Sequence, residues 1–306
     1  MKNVLLLDQK NYKSKWLSDY ELTESDKLIC QVKPRQYFDN EVYFVLKNNN
    51  NSTIFESNKS NWINGNFLKS HLQKCIRRNK YKLAVKTAFE LIKLDPNEFI
   101  RRLPIIMIED SDIFSFFPSI IWYMVVLSKG YKLTEIDVNW LLKCVKKIAN
   151  CKSKFNYNNL EESEILKENT NIFNNCLLLR INYGGMKGDL SMLKKTSTII
   201  EDYNIINKKI KLKNKKINKN LKLNDVLAVG MDFHVHPKIL YDIQNLLNKN
   251  KKIHMSIPLI KSWMWQTRSG INNRIGRKKE KENPLKEFHK DVDDICFKYI
   301  ENYYTK

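Results

Sequence analysis

Apolar residues at Leu68, Leu72, Cys75 and Ile76, then at Leu83, Ala84, Ala88 and Leu91, return every three to four positions. That spacing predicts two successive amphipathic helices, because a 3.6-residue period keeps such positions on one face. Asp95-Pro96-Asn97-Glu98 marks the start of a third. Asp95 can cap the first turn, Pro96 occupies a position whose amide is unpaired anyway, and Glu98 can reach back toward the cap. Thr134-Glu135-Ile136-Asp137 starts another helix in the same way, with Ile136, Trp140, Leu141, Cys144, Val145 and Ile148 as its buried stripe. The apolar run from Ile113 to Leu127 is broken by Pro118 and reads as a buried helix; no apolar run reaches the ~18 residues of a membrane span. LLLRIN, at 177–182, reads as a helix end. The glycines of Tyr183-Gly184-Gly185-Met186-Lys187-Gly188-Asp189 then make a helix–helix turn.

The stretch 1–60 carries a different pattern. Lys27–Val32 (KLICQV) and Glu41–Leu46 (EVYFVL) are short β-like runs, and the polar tip Asn48–Asn51 leads to Ser52–Phe55 (STIF) as a hairpin. Toward the other end, helical patterns return over Asp225–Leu247, Ile257–Gln266 and Pro284–Tyr303. The expected fold is mainly α: a multi-helical chain of antiparallel helix pairs with a small β-containing N-terminal segment. Its expected divisions are 1–60 (β-containing), 61–206 (helical), 207–222 (a lysine-rich linker or loop) and 223–306 (a C-terminal helical region).

Composition adds charge to this outline. The 306 residues are 42% hydrophobic, enough for a sizeable core, with a formal net charge of +21. A charge of that size suits a nucleic-acid backbone. The 36 Asn and 45 Lys leave a second explanation open, since both residues have AT-only codons and an AT-rich gene would enrich them without selection for binding. The stretch 207–222 (NKKIKLKNKKINKNLK) holds eight Lys and no acid; it reads as a solvated linker or as a phosphate-contacting element using Lys208, Lys209, Lys211, Lys213, Lys215 and Lys216. Trp263, Trp265, Arg268, Arg274, Arg277, Lys278 and Lys279 pair aromatic faces with cations, as single-stranded nucleic-acid binders do. The competing reading makes the tryptophans core and the arginines helix-end partners.

Signals for catalysis are sparse. GxxxxGK[ST] and GxGxxG are both missing, and none of the six cysteines forms a CxxC pair. MKNVLLLDQKNYK returns to charge too early for a secretory leader, so reduced, mostly buried thiols in an intracellular protein are expected. The compartment (cytoplasm, nucleus or organelle) is not distinguished. Asp232, His234 and His236 would share one face of an extended segment and could hold a divalent metal. DFHVHP resembles the segment that opens the barrel of amidohydrolases and of polymerase-and-histidinol-phosphatase-type metal enzymes. The stretch that follows Pro237 is too short for that barrel, and His289, Asp291, Asp293 and Asp294 fall on a helical pattern. No metal or other cofactor is therefore expected. Glu109, Asp110 and Asp112 could hold Mg²⁺ or act as acid and base, but their place at a helix end suggests partners for Arg101 and Arg102.

Four of the nine arginines, Arg77, Arg78, Arg101 and Arg102, lie between Leu68 and Asp110. With Lys74, Ile76, Ala84, Ala88, Leu91, Asp95, Pro96, Phe99, Ile100, Leu103, Glu109 and Asp110 they form a pattern. It resembles the C-terminal helical collar of the replication-associated recombination AAA+ ATPases, the group of the Werner-helicase-interacting protein. The distance from Leu103 to Glu109 fits the collar, while the two arginine groups stand slightly closer together. The collar assembles subunits and is not catalytic, and the stretch upstream of it here carries no Walker motifs, so ATP hydrolysis does not carry over. The resemblance gives Arg77, Arg78, Arg101, Arg102, Glu109 and Asp110 structural or assembly roles. Together these readings lead to a basic, non-catalytic accessory factor in replication, recombination or genome maintenance. It would bind DNA or RNA, form a homo-oligomer or join a larger complex, and have no membrane partner. A divalent-metal hydrolase using Asp232, His234 and His236, and a structural or assembly subunit of a large complex, are the alternatives.

Overall fold

Val4-Leu5-Leu6-Leu7 makes β1 (Asn3–Asp8) a strand buried on both faces, and Val42, Phe44, Val45 and Leu46 do the same for β4 (Val42–Lys47). Continuous apolar runs of this kind belong to the centre of a covered sheet. β2 (Lys13–Ser18) and β3 (Asp26–Val32) mix polar with apolar residues, have no fully buried position, and form the edges. The sheet order is β2-β1-β4-β3. β1 runs parallel to β4, the two outer pairs are antiparallel, and a bulge interrupts β3 between Leu28 and Cys30.

The computed structural model describes residues 3–49, 52–56, 60–156, 160–162, 166–207, 220–231, 237–249, 254–269 and 286–305. Among them are this sheet and ten α-helices, a mixed α/β chain in which helices predominate. The chain forms two compact units: unit 1 from Met1–Glu56, Ile100–Cys144 and Lys154–Leu212, and unit 2 from Ser57–Phe99, Val145–Ser153 and Lys213–Lys306. Each unit draws on separated stretches, so both cut across the sequential division at 60, 206 and 222.

Unit 1 holds the sheet, most of α3 (Pro96–Asp110), α4 (Phe117–Leu127), the first part of α5 (Glu135–Ala149), α6 (Ile172–Asn182) and α7 (Lys187–Ser197). Every residue of α4 is buried, because it packs against β1, β2 and α6. Ser119 of α4 donates to the Tyr12 carbonyl at 2.8 Å.

Unit 2 holds α1 (Gly65–Arg77), α2 (Tyr81–Leu94), α8 (Lys238–Lys249), α9 (Ile257–Met264) and α10 (His289–Tyr304). Asn64 caps α1 by accepting from the Phe67 amide at 2.9 Å. Asn79, at φ 57°, turns the chain sharply between α1 and α2, which pack together. Trp62, Phe67 and Tyr304 stack in the unit's interior, and the Trp62 indole donates to the Leu221 carbonyl at 3.1 Å.

Three expectations are corrected. KLICQV and EVYFVL are strands, but β4 pairs with β3 and β1; Ser52–Phe55 makes only an isolated bridge, Ile54 with Thr134. The buried helix of the Ile113–Leu127 run starts at Phe117, with Pro118 in its first turn, where a missing amide costs least. Asp225–Leu247 is not one helix: short 3-10 turns at Leu223–Asp225 and Ala228–Gly230 precede α8, which begins at Lys238.

Candidate functional site

The densest polar constellation in unit 1 surrounds Asp137, which is fully buried. Thr134 and Asp137 form a reciprocal cap at the start of α5: the Asp137 amide donates to Thr134 Oγ1 at 3.2 Å, and the Thr134 amide donates to Asp137 Oδ2 at 2.9 Å. Three phenols and an amide complete the shell. Gln9 Nε2 and Tyr12 Oη each donate to Oδ1 at 3.0 Å, Tyr123 Oη donates to it at 2.5 Å, and Tyr131 Oη donates to Oδ2 at 3.1 Å. Burial and the adjacent carboxylate push all three phenols well above their ordinary range, which keeps them protonated donors. With five donors on two oxygens and no exposure, Asp137 fastens strands to helices and offers no opening to a substrate.

A second internal node lies along α3, α6 and α7. Arg102 pairs with Asp189 at 2.9 Å and lies 3.7 Å from Glu109. Arg101 Nη2 donates to the Tyr183 carbonyl at 3.1 Å. Arg180 is buried; its Nε donates to the Arg101 carbonyl at 3.2 Å and its Nη1 to the Gly184 carbonyl at 2.6 Å. Burial and the neighbouring Arg101 lower the Arg180 pKa to about 10, still far above neutrality. Gly184 and Gly185 adopt positive φ of 69° and 152°, which turns the chain from α6 into α7 and brings carbonyls onto Arg180. The YGGMKGD segment is thus a turn fastened by an arginine. Arg101, Arg102 and Glu109 are engaged in that fastening, Asp110 is buried, and buried Asp112 accepts from Tyr203 Oη at 2.5 Å.

In unit 2, His71 is fully buried between α1 and α2, a position the sequence reading did not single out. Thr87 Oγ1 donates to the Leu83 carbonyl, so it accepts from His71 Nδ1 at 2.8 Å; His71 Nε2 accepts from the Leu227 amide at 2.9 Å. Those partners fix the neutral tautomer. Burial, with Lys74 nearby, lowers the pKa to about 3. A Cβ on Gly230 would stand 2.7 Å from His71 Cδ2, so this approach requires glycine.

The tryptophan–arginine cluster divides by burial. Trp263 is 8% exposed, with its ring 5.7 Å from that of His289. Arg268 is 4% exposed, pairs with Asp293, and its carbonyl accepts from Arg78. Both side chains, together with Arg77, are buried in unit 2. Trp265, two positions on from Trp263 and at the start of a π-helical turn (Trp265–Ser269), is 56% exposed. Lys208, Lys209, Lys211, Lys213, Lys215, Lys216, Arg274, Arg277, Lys278 and Lys279 lie outside the described residues, as do Asp232, His234 and His236. Among the described residues, no group of three or more His, Cys, Asp or Glu could hold a metal ion, and no helix is long and apolar enough to cross a membrane.

Charge separates the units more sharply than any local motif. The stretches of unit 1 hold 22 Lys and Arg against 20 Asp and Glu; those of unit 2 hold 32 against 13. Unit 2 therefore carries +19 of the chain's +21. Counting only described residues, unit 1 has 18 basic and 19 acidic side chains, and unit 2 has 19 and 10. Exposed aromatics follow the charge: among the described residues they are Tyr241, Trp265 and Tyr303, all in unit 2. No family model, curated protein or solved structure matches the chain.

Proposed function

We propose that unit 2 is a nucleic-acid-binding body and that the protein is a non-catalytic accessory factor of replication, recombination or genome maintenance. The observation that carries this reading is the segregation of charge. Codon bias acts along the whole gene, yet unit 1 is nearly balanced while unit 2 holds 32 cations against 13 acids. A positive body of this kind attracts phosphate backbones and releases their counterions on binding. Exposed aromatics in the same body add surfaces on which bases can stack. The collar-like pattern from Leu68 to Asp110 supports placement near replication or repair, and DNA and RNA both suit the charge.

Lysine footprinting tests the assignment. Full-length protein is acetylated with and without a bound oligonucleotide. Protection is expected at Lys238, Lys249 and Lys261, which are exposed on unit 2, while Lys13 and Lys15, exposed on unit 1, stay unchanged. Protection confined to unit 1, or equal in both units, would overturn it.

A further inference from the structure

We infer that α8 and α9 together form a stacking platform for single-stranded nucleic acid, with Tyr241 and Trp265 as its aromatic faces; the inference rests on the proposed binding role of unit 2. On α8 the exposed residues are Lys238, Tyr241, Asn245, Asn248 and Lys249. At 100° per residue they fall within one narrow stripe. The buried residues Ile239, Leu240, Ile243 and Leu247 occupy the opposite side. α9 and the turn that follows it have a comparable division: Pro258, Leu259, Lys261, Ser262, Trp265 and Gln266 are exposed, while Ile260, Trp263 and Met264 are buried. The two helices pack against each other, and Gln244 of α8 donates to the Met255 carbonyl just before α9 at 2.8 Å.

The chemistry of this surface selects its occupant. Among the described residues from Pro237 to Ser269 the exposed charged side chains are Lys238, Lys249 and Lys261, Arg268 is buried, and the single acid is Asp242. That carboxylate is turned inward, accepting from Tyr299 Oη of α10 at 2.6 Å. Nothing anionic on the exposed face of α8 or α9 therefore repels a phosphate. The third exposed aromatic, Tyr303, sits on α10 beside exposed Glu301, with Asp291 and Asp294 also exposed, which makes α10 the poorer candidate. An indole and a phenol 55–56% exposed, flanked by Lys238, Lys249 and Lys261, are matched to unpaired bases. A duplex hides its base faces in the stack, so it can engage the lysines but not the rings.

The test compares a 20-nucleotide oligothymidylate with a 20-base-pair duplex on full-length protein, by anisotropy and tryptophan fluorescence. Trp265→Ala and Tyr241→Ala are each expected to weaken single-strand binding about ten-fold and duplex binding less than about two-fold. Trp265→Phe, which keeps an aromatic face, should retain most of the single-strand affinity. Melting temperatures should not move, because both rings are largely in solvent. Equal losses on both oligonucleotides, or no loss on either, would overturn the platform while leaving the binding role of unit 2 standing. Salt-dependent binding to neither would overturn both. Trp265 emission that responds to anionic lipid vesicles and not to oligothymidylate would also overturn it.

Discussion

Neighbouring residues of one type take opposite roles in this chain, and packing decides between them. Trp263 and Trp265 are separated by one residue, yet one lies against His289 in the interior and the other stands in solvent. Arg268 reads as a nucleic-acid contact in the sequence, but burial and Asp293 commit it to the fold. His71 gives this scale a pH dependence. Its folded pKa, about 3, is depressed from an unfolded value near 6.5, so the folded state favours the neutral ring. The stabilisation is complete above pH 6.5 and is lost as the pH falls toward 3. Between pH 7 and pH 5 the loss is about 2 kcal/mol. Urea unfolding at both pH values should show that loss in the wild type and a smaller one in His71→Gln; identical losses would mean the ring does not titrate this way. Nothing local announced His71, because Thr87 and Leu227 reach it from other segments.

At the scale of elements, the sequence was most legible where periodicity and capping agreed. α1, α2, α3 and α5 have apolar stripes at helical spacing, and Asp95 and Thr134 cap as their side chains suggest. β1 was not legible: four consecutive apolar residues lack both the alternation of a half-buried strand and the length of a helix. β2, KSKWLS, is an edge with four polar residues and only Trp16 and Leu17 apolar, so it lacks the alternation that marks a strand. The Asp137 shell was half visible, as a Thr–Asp capping pair, but its other donors, Gln9, Tyr12, Tyr123 and Tyr131, come from distant segments. Asp137→Ala strands those donors in the interior and should cost unit 1 about 3–5 kcal/mol, whereas Tyr123→Phe removes one donor and should cost about 1–2 kcal/mol. Thermal denaturation measures both. A loss below about 1 kcal/mol for Asp137→Ala would mean that the shell does not hold the unit together.

At the scale of the whole molecule, the net charge of +21 was plain in the sequence, but its distribution was not. The two units are interleaved along the chain, so a segment-by-segment count mixes a balanced body with a strongly basic one. The candidate site narrowed for the same reason: tertiary packing withdrew Trp263 and Arg268 and left Trp265 exposed, and it added Tyr241, which carries no motif. The central claim is that the charge of unit 2 exists to bind a phosphate backbone. Its most direct test is a salt titration of oligonucleotide binding by the full-length protein. Neutralising about six phosphates gives an expected slope of log K against log salt of about −4 to −5. A flat slope, or no binding at about 50 mM salt, would contradict the claim, since counterion release could then contribute nothing.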